Sequence, residues 1–206
     1  VPVAGRPILE RLVNHLLGFG ISRIALSVGH LGDVIGDHFG DGSQFGCEIT
    51  YLWEDPENPL GTGGPLGSLS KLFPELSAPV LVMNGDLVTQ FDVAAMLDYH
   101  EQAGSVATVG TFRYTHEVPY GVLQVDDDDH INSIVEKPLR QELVSGGIYV
   151  FNPSVLRKVP TDTFFPMTQV LTDCIDGGDK VSVWGLDEDW IDVGRPQDLA
   201  KARGQI

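Results

Sequence analysis

Apolar residues recur along the chain in two alternating rhythms. Ile8, Leu9, Leu12, Val13, Leu16 and Leu17 fall at helical spacing. They predict a helix over Pro7 to Leu17, with Pro7 at its first position and Gly18 and Gly20 as its stop. Ile24 to Val28 is a short apolar run before Gly29 and predicts a buried strand. Leu31 to Phe39 predicts a second short helix, ended by Gly40-Asp41-Gly42, and Glu48 to Trp53 a second strand. Gly61-Thr62-Gly63-Gly64 leads into a helix through Leu72. Val80 to Met83 is continuously apolar, as suits a central parallel strand covered on both faces. Asp92 to Ala103 predicts a helix with Asp92 as N-cap.

The rhythm changes after Val106. Strands are predicted at Val106 to Phe112, Gly121 to Val125, Ile131 to Val135 and Gly147 to Phe151. A helix in the Pro166 to Ile175 segment, a strand at Val181 to Trp184 and a helix at Gln197 to Ala202 follow. Alternating strands and helices predict an α/β fold with a mostly parallel sheet, interrupted by a strand-rich segment. Neither a repeat nor a linker divides the chain, so residues 1–206 read as a single domain.

Composition narrows the chemistry. With 13 Lys and Arg against 29 Asp and Glu, the chain carries a formal charge of −16. That argues against nucleic-acid binding and against adsorption to an anionic membrane. A phosphorylated ligand would need a few placed cations, backbone N–H groups or a metal. Cys47 and Cys174 are far apart and read as free thiols of a reducing, cytoplasmic protein. No apolar run reaches the roughly 18 residues of a membrane span. The first residues have no signal-peptide character, and the missing initiator Met suggests a processed, cloned or truncated end.

Candidate chemistry sits where ligands bind open α/β sheets, beyond the carboxyl ends of strands. Asn84-Gly85-Asp86 follows the strand Val80 to Met83, where Asp86 could hold a hard cation or form a turn. Asp192 lies among Trp190, Ile191 and Val193 at the end of a short strand, as a second ligand or a helix cap. Glu136-Lys137-Pro138 follows another strand. Lys137 is the one of five lysines at the end of a clear apolar strand, as a point charge for phosphate or an exposed strand-end pair. Gly61 to Gly64 could bring N–H groups to a ligand at a helix start or form a plain turn. It is neither a Walker A loop nor GxGxxG. Gly146-Gly147 allows close approach or relieves a crowded strand start. The run Asp126 to Asp129 reads as a solvated hairpin turn rather than a metal loop, and the histidines show no ligand spacing.

Taken in order, these segments resemble the sugar-1-phosphate nucleotidyltransferases, specifically members similar to mannose-1-phosphate guanylyltransferases. The resemblance runs through Val3-Ala4-Gly5-Arg6-Pro7-Ile8-Leu9, Phe39-Gly40-Asp41-Gly42 and Pro59-Leu60-Gly61-Thr62-Gly63-Gly64. It continues through Asn84-Gly85-Asp86, Tyr120-Gly121-Val122, Glu136-Lys137-Pro138, Gly146-Gly147-Ile148-Tyr149 and Trp190-Ile191-Asp192-Val193-Gly194. It implies a Rossmann-like, mostly parallel three-layer αβα sheet with a small antiparallel strand-rich insertion. It implies Mg²⁺ on Asp86 and Asp192, sugar hydroxyls on Glu136 and the sugar phosphate on Lys137. Gly121 and Gly147 would line the sugar pocket, and Gly61 and Thr62 would approach the base. The implied substrates are an NTP, with GTP favoured, and a sugar 1-phosphate. The resemblance leaves room for a homo-oligomer and for N-terminal CBS modules.

One departure stands out. The family's first strand and its GGxGTRxxPxT loop, with the following Pro-Lys-Pro, are absent from these 206 residues. Either the protein is longer or the chain is a fragment or a non-catalytic relative, and residues 1–206 alone are expected to be inactive. Two other classes compete: a silent regulatory or assembly subunit on the same fold, and an NAD-dependent dehydrogenase, which the missing fingerprint disfavours. Retention of Asp86, Glu136, Lys137 and Asp192 together favours an enzyme.

Overall fold

A computed structural model describes residues 2–3, 5–186, 190–193 and 196–204. Ala4 and Gly194, which belong to two of the motifs above, lie outside the described residues. The chain opens with β1 (Pro2–Val3), β2 (Arg6–Pro7), α1 (Ile8–Gly18), β3 (Arg23–Val28), α2 (Gly32–Phe39) and β4 (Glu48–Trp53). It continues with α3 (Gly64–Leu72), β5 (Val80–Met83), β6 (Leu87–Val88), α4 (Val93–Ala103), β7 (Ala107–Glu117), β8 (Val122–Val125) and β9 (Ile131–Val135). It closes with β10 (Leu139–Phe151), α5 (Pro153–Leu156), α6 (Met167–Asp176), β11 (Val181–Gly185), β12 (Ile191–Asp192) and α7 (Pro196–Gly204).

The central sheet has the strand order β11-β7-β10-β5. β11 is parallel to β7, while β10 is antiparallel to both β7 and β5. Three strands therefore run one way and β10 runs against them. A parallel pair, β3 and β4, forms a separate sheet.

Alternation along β10 explains the layers. Tyr149 and Phe151 face a core shared with Leu66 and Leu69 of α3, Leu156 of α5 and Val170 of α6. Ile148 and Val150 face the opposite core, with Leu16 of α1 and Val93 and Met96 of α4. The sheet is thus covered on both faces, which is the three-layer αβα arrangement. The apolar stripe of α1 is broad because it serves three places. Leu16 joins that second core, Val13 packs with Leu26 and Phe39, and Ile8 and Leu12 pack with Ile191 and Ala202. Asp92 caps α4 as expected, accepting a 2.9 Å hydrogen bond from the Ala95 N–H.

The antiparallel insertion is larger than the sequence pattern suggests. β7 runs on to Glu117 and β10 begins at Leu139, and these polar extensions pair from Leu139↔Glu117 to Ser145↔Thr111. Their exposed residues carry no core periodicity, so only cross-strand hydrogen bonding reveals them. β8 and β9 form the hairpin between the arms. Its Asp126 to Asp129 run is a turn: Asp126 accepts from the N–H groups of Asp128 and His130. Gly146-Gly147 does not precede the strand but lies inside it, where the pairing register shifts between Ser145 and Ile148. It is a β-bulge, which bends a strand and re-aims its neighbours. Among the described residues no helix is long and apolar enough to cross a membrane. Cys47 and Cys174 are free and buried.

Candidate active site

Two carboxylates meet beyond the end of β5. Asp86 follows the Asn84-Gly85 turn, and Leu87, buried beneath it, starts β6. β6 pairs antiparallel with β12, placing Asp192 opposite Leu87. The Val193 N–H also donates to the Asp86 carbonyl at 3.2 Å. Ile191 anchors the second strand in the core with Val3, Ile8 and Leu12. Leu87 and Ile191 are buried, while Asp86 beside Leu87 is exposed and Asp192 beside Ile191 is half-buried. Burial raises the Asp86 carboxyl above the ordinary aspartate range, and the neighbouring Asp192 charge raises it further. Asp86 still has one side open to solvent.

The bulge in β10 supports this pair. The Asn84 N–H donates to the Gly147 carbonyl at 2.9 Å. Gly147 has φ +70°, and a Cβ there would lie 2.6 Å from Asn84 Nδ2. Only glycine therefore lets β10 approach the Asn84-Gly85-Asp86 turn this closely. Trp190 Nε1 donates to the Gly146 carbonyl at 2.8 Å, and its ring stacks on Phe112 with centroids 4.2 Å apart. The indole thus ties the Asp192 segment to the same bulge. Asn84 and Trp190 are positioning residues whose roles appear only in three dimensions. The one sequence signal was a pair of glycines beside an apolar run.

Glu136 and Lys137 form a second group. They lie in the turn from β9 to β10, and the Lys137 N–H donates to the Tyr120 carbonyl at 3.3 Å. Gly121 sits against Glu136, since a Cβ on it would lie 3.2 Å from Glu136 Oε2. Lys137 has φ +45°, the left-handed region that L-residues enter at a cost. Its side chain is exposed and takes part in no ion pair among the described residues. No hydrogen bond joins Glu136 or Lys137 to Asp86 among the described residues.

Gly61 and Thr62 form a third group, held against the segment before α6. Gly63 and Gly64 donate to the Phe165 carbonyl at 2.8 and 3.0 Å, so those two N–H groups serve the fold. The Thr62 hydroxyl accepts from the Met167 N–H at 3.0 Å, satisfying one of the open donors at the start of α6. Gly61 has φ +72°, and a Cβ would lie 3.0 Å from the Phe164 ring.

Asp86 and Asp192 offer hard oxygen ligands at a place where two like charges oppose each other, which fits a divalent cation. No cluster of three or more His, Cys, Asp or Glu able to hold a metal occurs among the described residues. Remaining ligands would have to be substrate oxygens or water, the usual coordination habit of Mg²⁺.

Comparison with known proteins agrees with this architecture. A glucose-1-phosphate uridylyltransferase of Synechocystis sp. is 28% identical over 216 residues, covering 98% of this chain and 56% of its own. A mannose-1-phosphate guanylyltransferase of Mycobacterium tuberculosis is 28% identical over 212 residues, covering 100% of this chain and 57% of its own. The chain therefore spans little more than half the length of these relatives. The crystal structure of HddC from Yersinia pseudotuberculosis complexed with GMP-PN superposes with a TM-score of 0.74 at 26% identity, covering 99% of this chain and 87% of that one. The sequence pattern of the family described as Nucleotidyl transferase matches residues 1–206, and the chain belongs to that family.

Proposed function

We propose that the protein transfers a nucleotidyl group from an NTP, with GTP favoured, to a sugar 1-phosphate, giving an NDP-sugar and pyrophosphate. The observation that supports this reading is the β6–β12 pairing, which brings Asp192 opposite Leu87 and so near Asp86, beyond the carboxyl end of β5 where ligands of open α/β sheets bind. The reaction fits a site without a built acid or base. A phosphate oxygen of the sugar phosphate attacks the α-phosphorus, the bond from that phosphorus to the bridging oxygen breaks, and pyrophosphate leaves. The nucleophile is already an anion, so catalysis is positioning and charge stabilisation.

Asp86 and Asp192 would hold Mg²⁺, which supplies charge neutralisation to the phosphate oxygens when bound. Lys137, with Asp86 the assigned catalytic residue, places its ammonium on the sugar phosphate. Glu136 accepts hydrogen bonds from sugar hydroxyls. Gly121 and Gly147 let the sugar approach backbone, and Gly61 and Thr62 approach the base. Buried free thiols support a cytoplasmic setting. A homo-oligomer and attached CBS modules remain compatible with this reading.

The test is a screen of NTPs against sugar 1-phosphates on the full-length protein, reading pyrophosphate release. The expected result is metal-dependent release with one preferred pair, abolished by Asp86→Ala with the fold intact. Retained turnover in that variant would sink the metal assignment. Silence toward every pair would favour a regulatory or assembly subunit instead.

A further inference from the structure

The Gly61-Thr62 turn is held from two sides, and one of the anchors is a carboxylate with no role so far. Glu54 follows the last residue of β4, just past the carboxyl ends of the parallel β3–β4 pair. Its N–H extends that ladder by donating to the Val28 carbonyl at 2.8 Å. Ligands of open α/β sheets bind beyond such ends. The chain then swings out over Asp55 to Pro59 and returns. Asp55 closes the excursion, its carboxylate accepting from the Glu57 N–H at 2.9 Å and from Asn58 Nδ2 at 2.8 Å.

The return brings Leu60 back onto Glu54. The Leu60 N–H donates to Glu54 Oε2 at 2.8 Å, and the Ser27 hydroxyl of β3 donates to Oε1. On the other side, the Leu60 carbonyl accepts from the Phe165 N–H at 2.8 Å. Both backbone groups of Leu60 are therefore committed, one to the β3–β4 end and one to the segment before α6. Gly63 and Gly64 are committed to the Phe165 carbonyl. Between these anchors, the N–H groups of Gly61 and Thr62 have no hydrogen-bond partner among the described residues. Gly61 is half-buried and Thr62 exposed, so both donors are within reach of a ligand. A turn with fixed flanks and two open donors is preorganised for acceptors, because little freedom remains to be lost on binding.

We propose that Glu54 is a positioning residue for nucleotide binding: its carboxylate, oriented by Ser27, fixes Leu60 and thereby sets the Gly61 and Thr62 N–H groups where the acceptors of a nucleobase meet them. This inference rests on the assignment of Gly61 and Thr62 to the base under Proposed function. A carboxylate suits the task, since an N–H bond to a charged acceptor is about twice as strong as one to a neutral acceptor. Each Glu54 oxygen already holds a protein donor, so the residue acts through the turn.

The experiment is steady-state kinetics of the full-length protein, with the NTP and sugar 1-phosphate that the screen selects. Glu54→Ala should raise the KM for NTP by about 10-fold or more, the scale of one lost bond to a charged group. At saturating NTP, kcat and the KM for sugar 1-phosphate should stay within about 2-fold, as when binding alone is lost. A partly unfolded sample would lower kcat and leave KM unmoved, so this split separates positioning from misfolding. Glu54→Gln keeps an oxygen for the Leu60 N–H and an amide that the Ser27 hydroxyl can accept, and should recover most of the NTP KM. Ser27→Ala should move the NTP KM in the same direction by less. Without nucleotide, amide exchange at Leu60 should quicken in Glu54→Ala and slow again in Glu54→Gln. The inference is overturned if Glu54→Ala keeps the wild-type NTP KM or the wild-type exchange at Leu60. It is also overturned if Glu54→Gln is as impaired as Glu54→Ala, because the charge then acts on the ligand itself. A wild type that turns over no NTP would overturn the nucleotidyl-transfer reading and this inference together, whereas normal wild-type turnover with an unmoved Glu54→Ala overturns this inference alone.

Discussion

Lys137 is held at φ +45° with its side chain in solvent, so backbone strain and function can be separated there by two substitutions. The left-handed region costs an L-residue about 1–2 kcal/mol. Glycine escapes that cost but gives back about 0.4–1 kcal/mol through its freer unfolded chain. Alanine keeps the strain and, like glycine, loses the ammonium. The side chain is exposed, so neither variant opens a buried cavity. Lys137→Gly should therefore be more stable than Lys137→Ala by about 0.5–1 kcal/mol, or about 1–4 °C in Tm for a domain of this size. Both variants should lose transfer activity alike, by about 10- to 150-fold, the range for one hydrogen bond to a charged group. The assays are thermal unfolding and pyrophosphate release under saturating NTP. Amide exchange at Lys137, whose N–H donates to the Tyr120 carbonyl, reports the turn itself if it opens before the rest of the domain. Equal stability of the two variants would refute the strain argument. Near-normal turnover in either would refute the phosphate contact.

Three further outcomes follow from the same geometry. Asp86→Asn removes a carboxylate raised by burial and by Asp192, so the metal-free variant should unfold at higher temperature at neutral pH while losing metal-dependent turnover. The sign follows from linkage: a raised folded pKa makes protonation favour the fold, so wild type should regain that stability as pH falls from above the raised value into the ordinary aspartate range, and Asp86→Asn should lack this component. Gly147→Ala forces a Cβ to within 2.6 Å of Asn84 Nδ2 at φ +70°, and should cost about 1–3 kcal/mol and lower turnover by displacing the Asp86 turn; an unchanged Tm would contradict the close approach. In hydrogen exchange, β8 and β9 should lose protection well before β5 and the inner half of β10, because among the described residues they pair only with each other and leave Leu123, Val125, Ile131 and Ile134 exposed; equal protection would show that the hairpin is covered in solution.

Local rules carried the reading of the sequence furthest where burial is one-sided or complete. α1, β4, β5 and α4 were legible because an apolar stripe or run, bounded by Gly, Pro or a capping Asp, has few other ways to satisfy its backbone and hide its side chains. The motif order was likewise enough to name Asp86, Glu136, Lys137 and Asp192 as candidates. The outer arms of β7 and β10 were not legible, because an exposed polar strand pair is specified by its partner and not by its own pattern.

What the tertiary structure alone decided is which of these pieces meet. Asp86 and Asp192 are 106 positions apart in the chain, and only the β6–β12 ladder makes them neighbours and raises one carboxyl against the other. The doublet Gly146-Gly147 looked like a strand start, but pairing on both sides of β10 makes it a bulge that receives Asn84 and Trp190. Arg6 stood in a motif without a role of its own, and Arg11 and Thr89 stood in none. They share a cavity because α1 packs on β6, and packing between distant elements leaves no mark in local periodicity.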